Sequence, residues 1–282
     1  MNVFHSQPIA NFLLLACTLA ACSLTGCRAL ENQLIYNPSV YPNGWNDFAD
    51  LEIEEANFVA DDGTQLHGLF AQHPNPKAVL LFAHGRAGNV TSSVNSLAKF
   101  IERHQVSAMV FDYRGFGRSE GSPNEEGLYL DARGARRWLA GRTGLAENEI
   151  ILMGHSLGAA VAIELAATDG AKGLIVECGF TSLARLVRRY APIVPAELIL
   201  TSQFHSLERI KSYEGPTLVA HGSEDKIIPL KHGIQLFEAS GGQKRFLRIE
   251  GNGHADAPTI DYQLAIDDLI ESTIVTTASN TL

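Results

Sequence analysis

Residues 149–160 constrain what this chain can fold into more than any other stretch. Ile150 to Met153 is a short apolar run of strand length, and Leu157 to Ala167 is a small-residue and apolar run of helical length. Ser156 falls on the turn between them, flanked by Gly154 and Gly158. A strand that turns this sharply into a helix strains the turn residue and draws the two elements together, which glycine at the flanking positions permits. The serine hydroxyl is then held out of the sheet at a helix N-terminus, where amide groups and the helix dipole favour negative charge.

The remaining chain supplies elements of the same kind. Leu51–Ala60 and Thr64–Ala71 read as two strands joined by the turn Asp61-Asp62-Gly63, an antiparallel pair at one sheet edge. Apolar strands follow at Ala78–Ala83, Ser107–Phe111, Gly173–Cys178 and Pro216–Ala220, and a last strand at Lys244–Glu250. Helical stretches reach to about Arg103 and cover Glu125–Ala140, Leu230–Ala239 and Ile260–Thr273. From Lys77 onward strands alternate with helices. That pattern predicts an α/β fold, a mostly parallel eight-stranded sheet with helices on both faces and right-handed crossovers. Such sheets place their ligands at the carboxyl ends of the strands, and the glycine- and histidine-rich motifs here all fall at such ends.

With 282 residues the chain is long enough for one sizeable core. Its formal charge of −9 argues against nucleic acid as a partner, because phosphate binding needs clustered Lys and Arg. The first 27 residues hold no Asp, Glu, Lys or Arg. The apolar run Phe12–Leu24 is short for a membrane span of about 20 residues and fits the hydrophobic region of an export signal. It ends in Leu24-Thr25-Gly26-Cys27, which is similar to a bacterial lipobox; Leu19-Ala20-Ala21-Cys22 is the alternative. The favoured reading is a signal peptide over 1–26 and lipidation at Cys27, which would anchor the protein to a membrane of the cell envelope. In a Gram-negative cell, Arg28 after the cysteine would favour the outer membrane, facing the periplasm. Residues 27–50, with Asn37-Pro38 and Pro42-Asn43-Gly44, read as a surface tether and lead-in, 51–275 as the catalytic domain, and 276–282 as a frayed tail. Outside the leader the sole cysteine is Cys178, so no disulfide is expected within the domain.

A serine hydroxyl is unreactive at neutral pH unless a histidine takes its proton and a carboxylate orients that histidine. Gly154-His155-Ser156-Leu157-Gly158 fits the G-x-S-x-G nucleophile elbow, for which the chain order is serine, acid, histidine. Downstream of Ser156 the histidines are His205, His221, His232 and His254. His254, in the glycine-rich loop after the last strand, is the favoured base. His221 reads as a structural turn residue, His205 as part of a cap and His232 as lying on a solvated helix. Asp225 in the loop after the penultimate strand is the favoured acid, with Glu224 and then Glu177 as alternatives; Asp256 reads as a loop residue. The oxyanion of an acyl-transfer intermediate needs two backbone N–H donors, for which Leu157 and Arg86 are the candidates. Asp112 and Arg114 read as polar residues buttressing the floor of the site. Arg185, Arg188 and Arg189 read as a solvated helix face, and residues 191–200 as part of a short cap. No phosphate-loop, H-E-x-x-H or paired C-x-x-C pattern occurs, so neither cofactor nor metal is implied.

Taken together, Leu34-Ile35-Tyr36-Asn37-Pro38, His84-Gly85-Arg86-Ala87-Gly88-Asn89, Asp112-Tyr113-Arg114-Gly115-Phe116-Gly117, the elbow, His221-Gly222-Ser223-Glu224-Asp225 and Gly253-His254 resemble the α/β-hydrolase superfamily over about residues 35–273. Within it the chain is similar to the small-capped, serine aminopeptidase-like branch, which includes bacterial lipoproteins. The resemblance implies an α/β-hydrolase fold with a short cap over about 180–212 and a triad of Ser156, Asp225 and His254. It also implies Arg86 and Leu157 as oxyanion donors, and a hydrolase acting on a small acyl substrate. The family often carries Asn where Arg86 stands. The fold hosts esterases, thioesterases and peptidases alike, so membership does not fix the substrate; the favoured reading is a serine hydrolase of carboxylic esters or thioesters, with a peptidase or amidase, and then a non-catalytic tethered binding protein, as alternatives.

Overall fold

The computed structural model describes residues 35–46 and 52–279. The leader, with Cys22 and Cys27, lies outside the described residues, as do 280–282. Among the described residues no helix is long and apolar enough to cross a membrane.

Eight strands form one sheet: β1 (Glu54–Val59), β2 (Gln65–Ala71), β3 (Ala78–Ala83), β4 (Val106–Phe111), β5 (Ile151–His155), β6 (Gly173–Glu177), β7 (Thr217–Gly222) and β8 (Lys244–Ile249). Their spatial order is β1-β2-β4-β3-β5-β6-β7-β8. β1 pairs antiparallel with β2 and β2 antiparallel with β4, and every other neighbour is parallel. Parallel neighbours require crossovers, and the chain supplies them as α1 (Val94–His104), α2 (Glu125–Thr143) and α3 (Leu157–Asp169). Three shorter helices, α4 (Leu183–Tyr190), α5 (Ala196–Ile199) and α6 (Ser206–Arg209), fill the stretch read as a cap. They are followed by α7 (Leu230–Ala239) and α8 (Ile260–Ser279).

The period-two alternation of buried strands sorts their side chains onto two faces. Leu81, Leu152, Val176 and Val219 pack with Leu128, Leu139, Val161 and Leu236 from α2, α3 and α7. Their sequence neighbours Leu80, Ile151, Ile175 and Leu218 pack instead with Leu97, Ile101, Ile266 and Ile270 from α1 and α8. Both faces are therefore covered by helices, which is why these strands read as continuous apolar runs.

Several boundaries differ from the sequence expectation. β7 continues through Gly222, so His221 is a strand residue and not part of a turn, its chain held in register by Arg248 of β8. α8 runs past Thr273 to Ser279, into the stretch expected to fray. Of the lead-in, residues 35–46 are described, and most of them are exposed; the exception is near its start. Tyr36 is fully buried and its hydroxyl pairs with Ser202 Oγ at 2.8 Å, while Pro38 and Val40 form isolated bridges with Gly88 and Gly117. An aromatic ring seated in the core outweighs the turn-forming composition around it.

Candidate active site

Ser156 follows β5 and opens α3 at φ 56° and ψ −113°, a conformation that side chains other than glycine rarely adopt. The strain is held in place by close packing. A Cβ on Gly158 would lie 1.9 Å from the Ala83 carbonyl oxygen, and one on Gly154 would lie 2.1 Å from the Gly158 oxygen. Only hydrogen fits at either position, so the glycines expected from the elbow are required by contact between main chains. Ser156 N–H donates to Glu177 O at 2.9 Å, tying the turn to the end of β6.

Two loops bring the other groups to this serine. The loops after β7 and β8 are stitched together by Glu224 N–H to Asn252 O (2.9 Å), Ser223 N–H to Ile249 O (2.9 Å) and Gly251 N–H to Ser223 Oγ (2.8 Å). Their approach is so close that a Cβ on Gly222 would sit 2.4 Å from Asn252 O. His254 Nδ1 consequently lies 2.7 Å from Asp225 Oδ2, and His254 Nε2 lies 3.0 Å from Ser156 Oγ. Asp225 Oδ1 accepts from the backbone N–H groups of Ile227 (2.9 Å) and Ile228 (2.8 Å), which fixes the plane of the carboxylate. Burial alone would raise this carboxyl's pKa, but the hydrogen bonds from His221 and His254 outweigh it and hold the group well below the usual carboxylate range. An ionised carboxylate can only accept, so His254 Nδ1 carries its proton and Nε2 is free to accept from the serine hydroxyl.

The structure thus brings Ser156, Asp225 and His254 into one hydrogen-bonded chain. It does not bring in the alternatives. Glu224 is exposed, and among the described residues neither it nor Glu177 pairs with the His254 ring, whose nitrogens face Asp225 and Ser156; Asp256 caps its own loop by accepting from Gly253 N–H at 2.6 Å. His205 is exposed at the start of α6. His221 is fully buried; its Nε2 donates to Ile228 O at 2.8 Å and sits 3.4 Å from Asp225 Oδ2, so it braces the loop that carries Asp225.

Two contributions were missed in the sequence. His155, inside the elbow, donates from Nε2 to the carbonyl of His254 at 2.9 Å and so fastens the loop of His254 to the turn that carries Ser156. Its place beside the serine was the only signal. His232 corrects the expectation of a solvated helix: it is 2 % exposed, and its Nδ1 accepts from Thr181 Oγ1 at 2.9 Å. Desolvation, with Lys231 and other cations nearby, pushes its pKa down to about 4. The folded state therefore resists a proton that the unfolded chain, with an ordinary histidine pKa of about 6.5, accepts readily. Stability from this group is present above about pH 6.5 and is lost as pH falls toward 4. Urea unfolding of the wild type is expected to lose about 1–2 kcal/mol at this site between pH 7 and 5, and His232→Gln to show a correspondingly flatter profile. Equal pH slopes in the two proteins would contradict this account.

The other side of the serine is lined by the loop after β3. A Cβ on Gly85 would lie 3.5 Å from Ser156 Cβ and 3.0 Å from His155 Nδ1, so this loop passes directly beside the elbow. It is pinned by Ala87 N–H to Tyr36 O (2.9 Å), with Ala87 held at φ 74°, and by Asn89, whose amide donates to Asn43 O and Gly44 O at 3.3 Å each. Leu157 is the first residue of α3, so its N–H has no acceptor one turn back. Beneath the loop, Asp112 is fully buried and accepts from Val90 N–H at 2.9 Å. Arg114 is clamped by Asp131, accepting at 2.7 Å from Nη2 and at 2.7 Å from the Arg114 backbone N–H. Both residues support the loops at the carboxyl ends of β3 and β4, the place that the sequence suggested.

Side-chain atoms of His155, Cys178 and His254 that could ligate a metal lie within 4.8 Å of one another. Both ring nitrogens of His254 are already engaged with Asp225 and Ser156, so a cation bound there would disrupt the hydrogen-bonded chain.

Comparison with known proteins places the arrangement in context. Residues 74–206 match the family described as serine aminopeptidase, S33. An uncharacterized protein of Mycobacterium tuberculosis is 33% identical over 239 residues, covering 84% of this chain and 85% of its own. The alpha/beta hydrolase domain-containing protein 17B of Homo sapiens is 32% identical over 185 residues, 65% of this chain and 62% of its own. Among solved structures, an esterase of Pyrococcus furiosus superposes with a TM-score of 0.68 at 16% identity, over 84% of this chain and 98% of that one. An acetyl xylan esterase from Paenibacillus sp. R4 superposes with a TM-score of 0.63 at 20% identity, over 88% and 92%.

Proposed function

We propose that this chain, which has the α/β-hydrolase fold, is a serine hydrolase cleaving carboxylic esters or thioesters through an acyl-enzyme on Ser156. The observation that carries this reading is the unbroken run of hydrogen bonds from Asp225 through His254 to Ser156. As Ser156 Oγ attacks the substrate carbonyl carbon, its proton passes to His254 Nε2, and the ionised Asp225 stabilises the imidazolium. Negative charge collects on the carbonyl oxygen, where the backbone N–H groups of Leu157 and Arg86 receive it. Collapse of this intermediate expels the alcohol or thiol, which takes the proton from His254. Water, activated by the same imidazole, then hydrolyses the acyl-enzyme and restores the hydroxyl.

Support for an ester over an amide comes from the solved structures of the same fold, which include esterases. A peptidase is the second reading, favoured by the description of the matched family as serine aminopeptidases. The two part company in one assay. Purified protein is expected to hydrolyse p-nitrophenyl acyl esters with kcat/KM at least about 100-fold above aminoacyl p-nitroanilides, a gap of about 3 kcal/mol in barrier. A preference for the anilides would transfer the assignment to the peptidase reading.

A further inference from the structure

Most arginines among the described residues reach a carboxylate: Arg114, Arg118, Arg136, Arg142 and Arg209 are examples. Arg86 does not. It has no ion pair among the described residues, in a chain carrying 31 Asp and Glu against 22 Lys and Arg. Its position is the informative part. It follows Gly85, whose Cβ would stand 3.5 Å from Ser156 Cβ, and it precedes Ala87, whose N–H is held by Tyr36 O. The root of the side chain is therefore fixed within one residue of the nucleophile. The arm is exposed to solvent, yet protein crowds it enough that desolvation lowers its pKa with no acidic group offsetting the effect. The side chain is thus an exposed cation rooted beside the turn that carries Ser156. A guanidinium left unpaired in such a place is an anion site waiting for its partner, and its planar fork suits carboxylate or phosphate.

Building on the proposed hydrolase activity, we infer that the Arg86 side chain is a specificity-determining group that receives an anionic substituent, carboxylate or phosphate, of the ester substrate. The backbone N–H of the same residue serves the reacting oxygen, while the side chain reads a charge elsewhere on the molecule. One residue thereby couples recognition to the oxyanion site.

Two substrate pairs test this and locate the charge. p-Nitrophenyl adipate monoester against p-nitrophenyl hexanoate places it on the acyl side. The butyryl ester of 4-hydroxybenzoate against that of methyl 4-hydroxybenzoate places it on the leaving group. The readout is the anionic-to-neutral ratio of kcat/KM within each protein, so any general loss of activity in a variant cancels. In at least one pair this ratio is expected to fall about 10-fold in Arg86→Gln, fall further in Arg86→Glu and recover in part in Arg86→Lys. The wild-type ratio in that pair should also drop when salt rises from about 0.05 to 0.5 M, and the Arg86→Gln ratio should not. Ratios unchanged by Arg86→Gln in both pairs would overturn the inference while the neutral esters still report on the hydrolase itself. Absence of turnover on every ester would remove both.

Discussion

Ser156→Ala is expected to lower ester turnover by about 10⁵-fold, equivalent to about 7 kcal/mol of barrier, with the melting temperature nearly unchanged. The size follows from what the substitution deletes. Without Oγ no acyl-enzyme forms, and His254 has no proton to accept, so only substrate positioning and the N–H donors around the elbow remain. The fold should tolerate the change because alanine carries the same Cβ at the same strained φ, and the close packing at Gly154 and Gly158 is untouched. Stopped assays on p-nitrophenyl esters measure the turnover. A fluorophosphonate probe gives the independent check: the wild type should label stoichiometrically and the variant not at all. Stoichiometric labelling of the alanine variant would place the nucleophile elsewhere.

Asp225→Asn is expected to cost about 10⁴-fold in kcat with little change in structure, because the tertiary setting dictates which way the new amide must point. Oδ1 accepts two backbone N–H bonds, from Ile227 and Ile228, which an amide NH₂ cannot do. The asparagine oxygen must occupy that place, which turns its NH₂ toward His254 Nδ1. The ring then has to accept at Nδ1 and carry its proton on Nε2, the nitrogen that should take the proton from Ser156. The defect is one of tautomer, so raising the pH should not restore the rate. A variant that keeps more than about a tenth of wild-type kcat would show that Asp225 does not set the state of His254.

The parts of this protein differ in how far they could be read before folding. The elbow was legible because its demands are local: two close main-chain contacts leave no choice but glycine, and the flanking runs declare strand and helix by length alone. The strands β3 to β7 were legible for a similar reason, since burial on both faces leaves continuous apolar runs. The burial of Tyr36 within the lead-in was not legible, because its neighbours are turn residues, whereas the core site that seats the ring is made by segments far along the chain. His232 was misread for the same cause. Its helix carries Lys231 and Gln235, yet its ring faces Thr181 from another element, and nothing local marks that face as buried.

By itself, then, the sequence determined the fold class and marked Ser156 on its turn, because the apolar runs of strand and helix length and the glycines beside the serine are local features. Only the tertiary structure decided that Asp225, and not Glu224 beside it or Glu177, meets His254, and that His155 and His221 brace the pair. The reason is geometric. Hydrogen bonds act over about 3 Å, and whether groups 98 residues apart come that close is settled by the stacking of parallel strands and the stitching of two loops, which no short stretch of chain encodes.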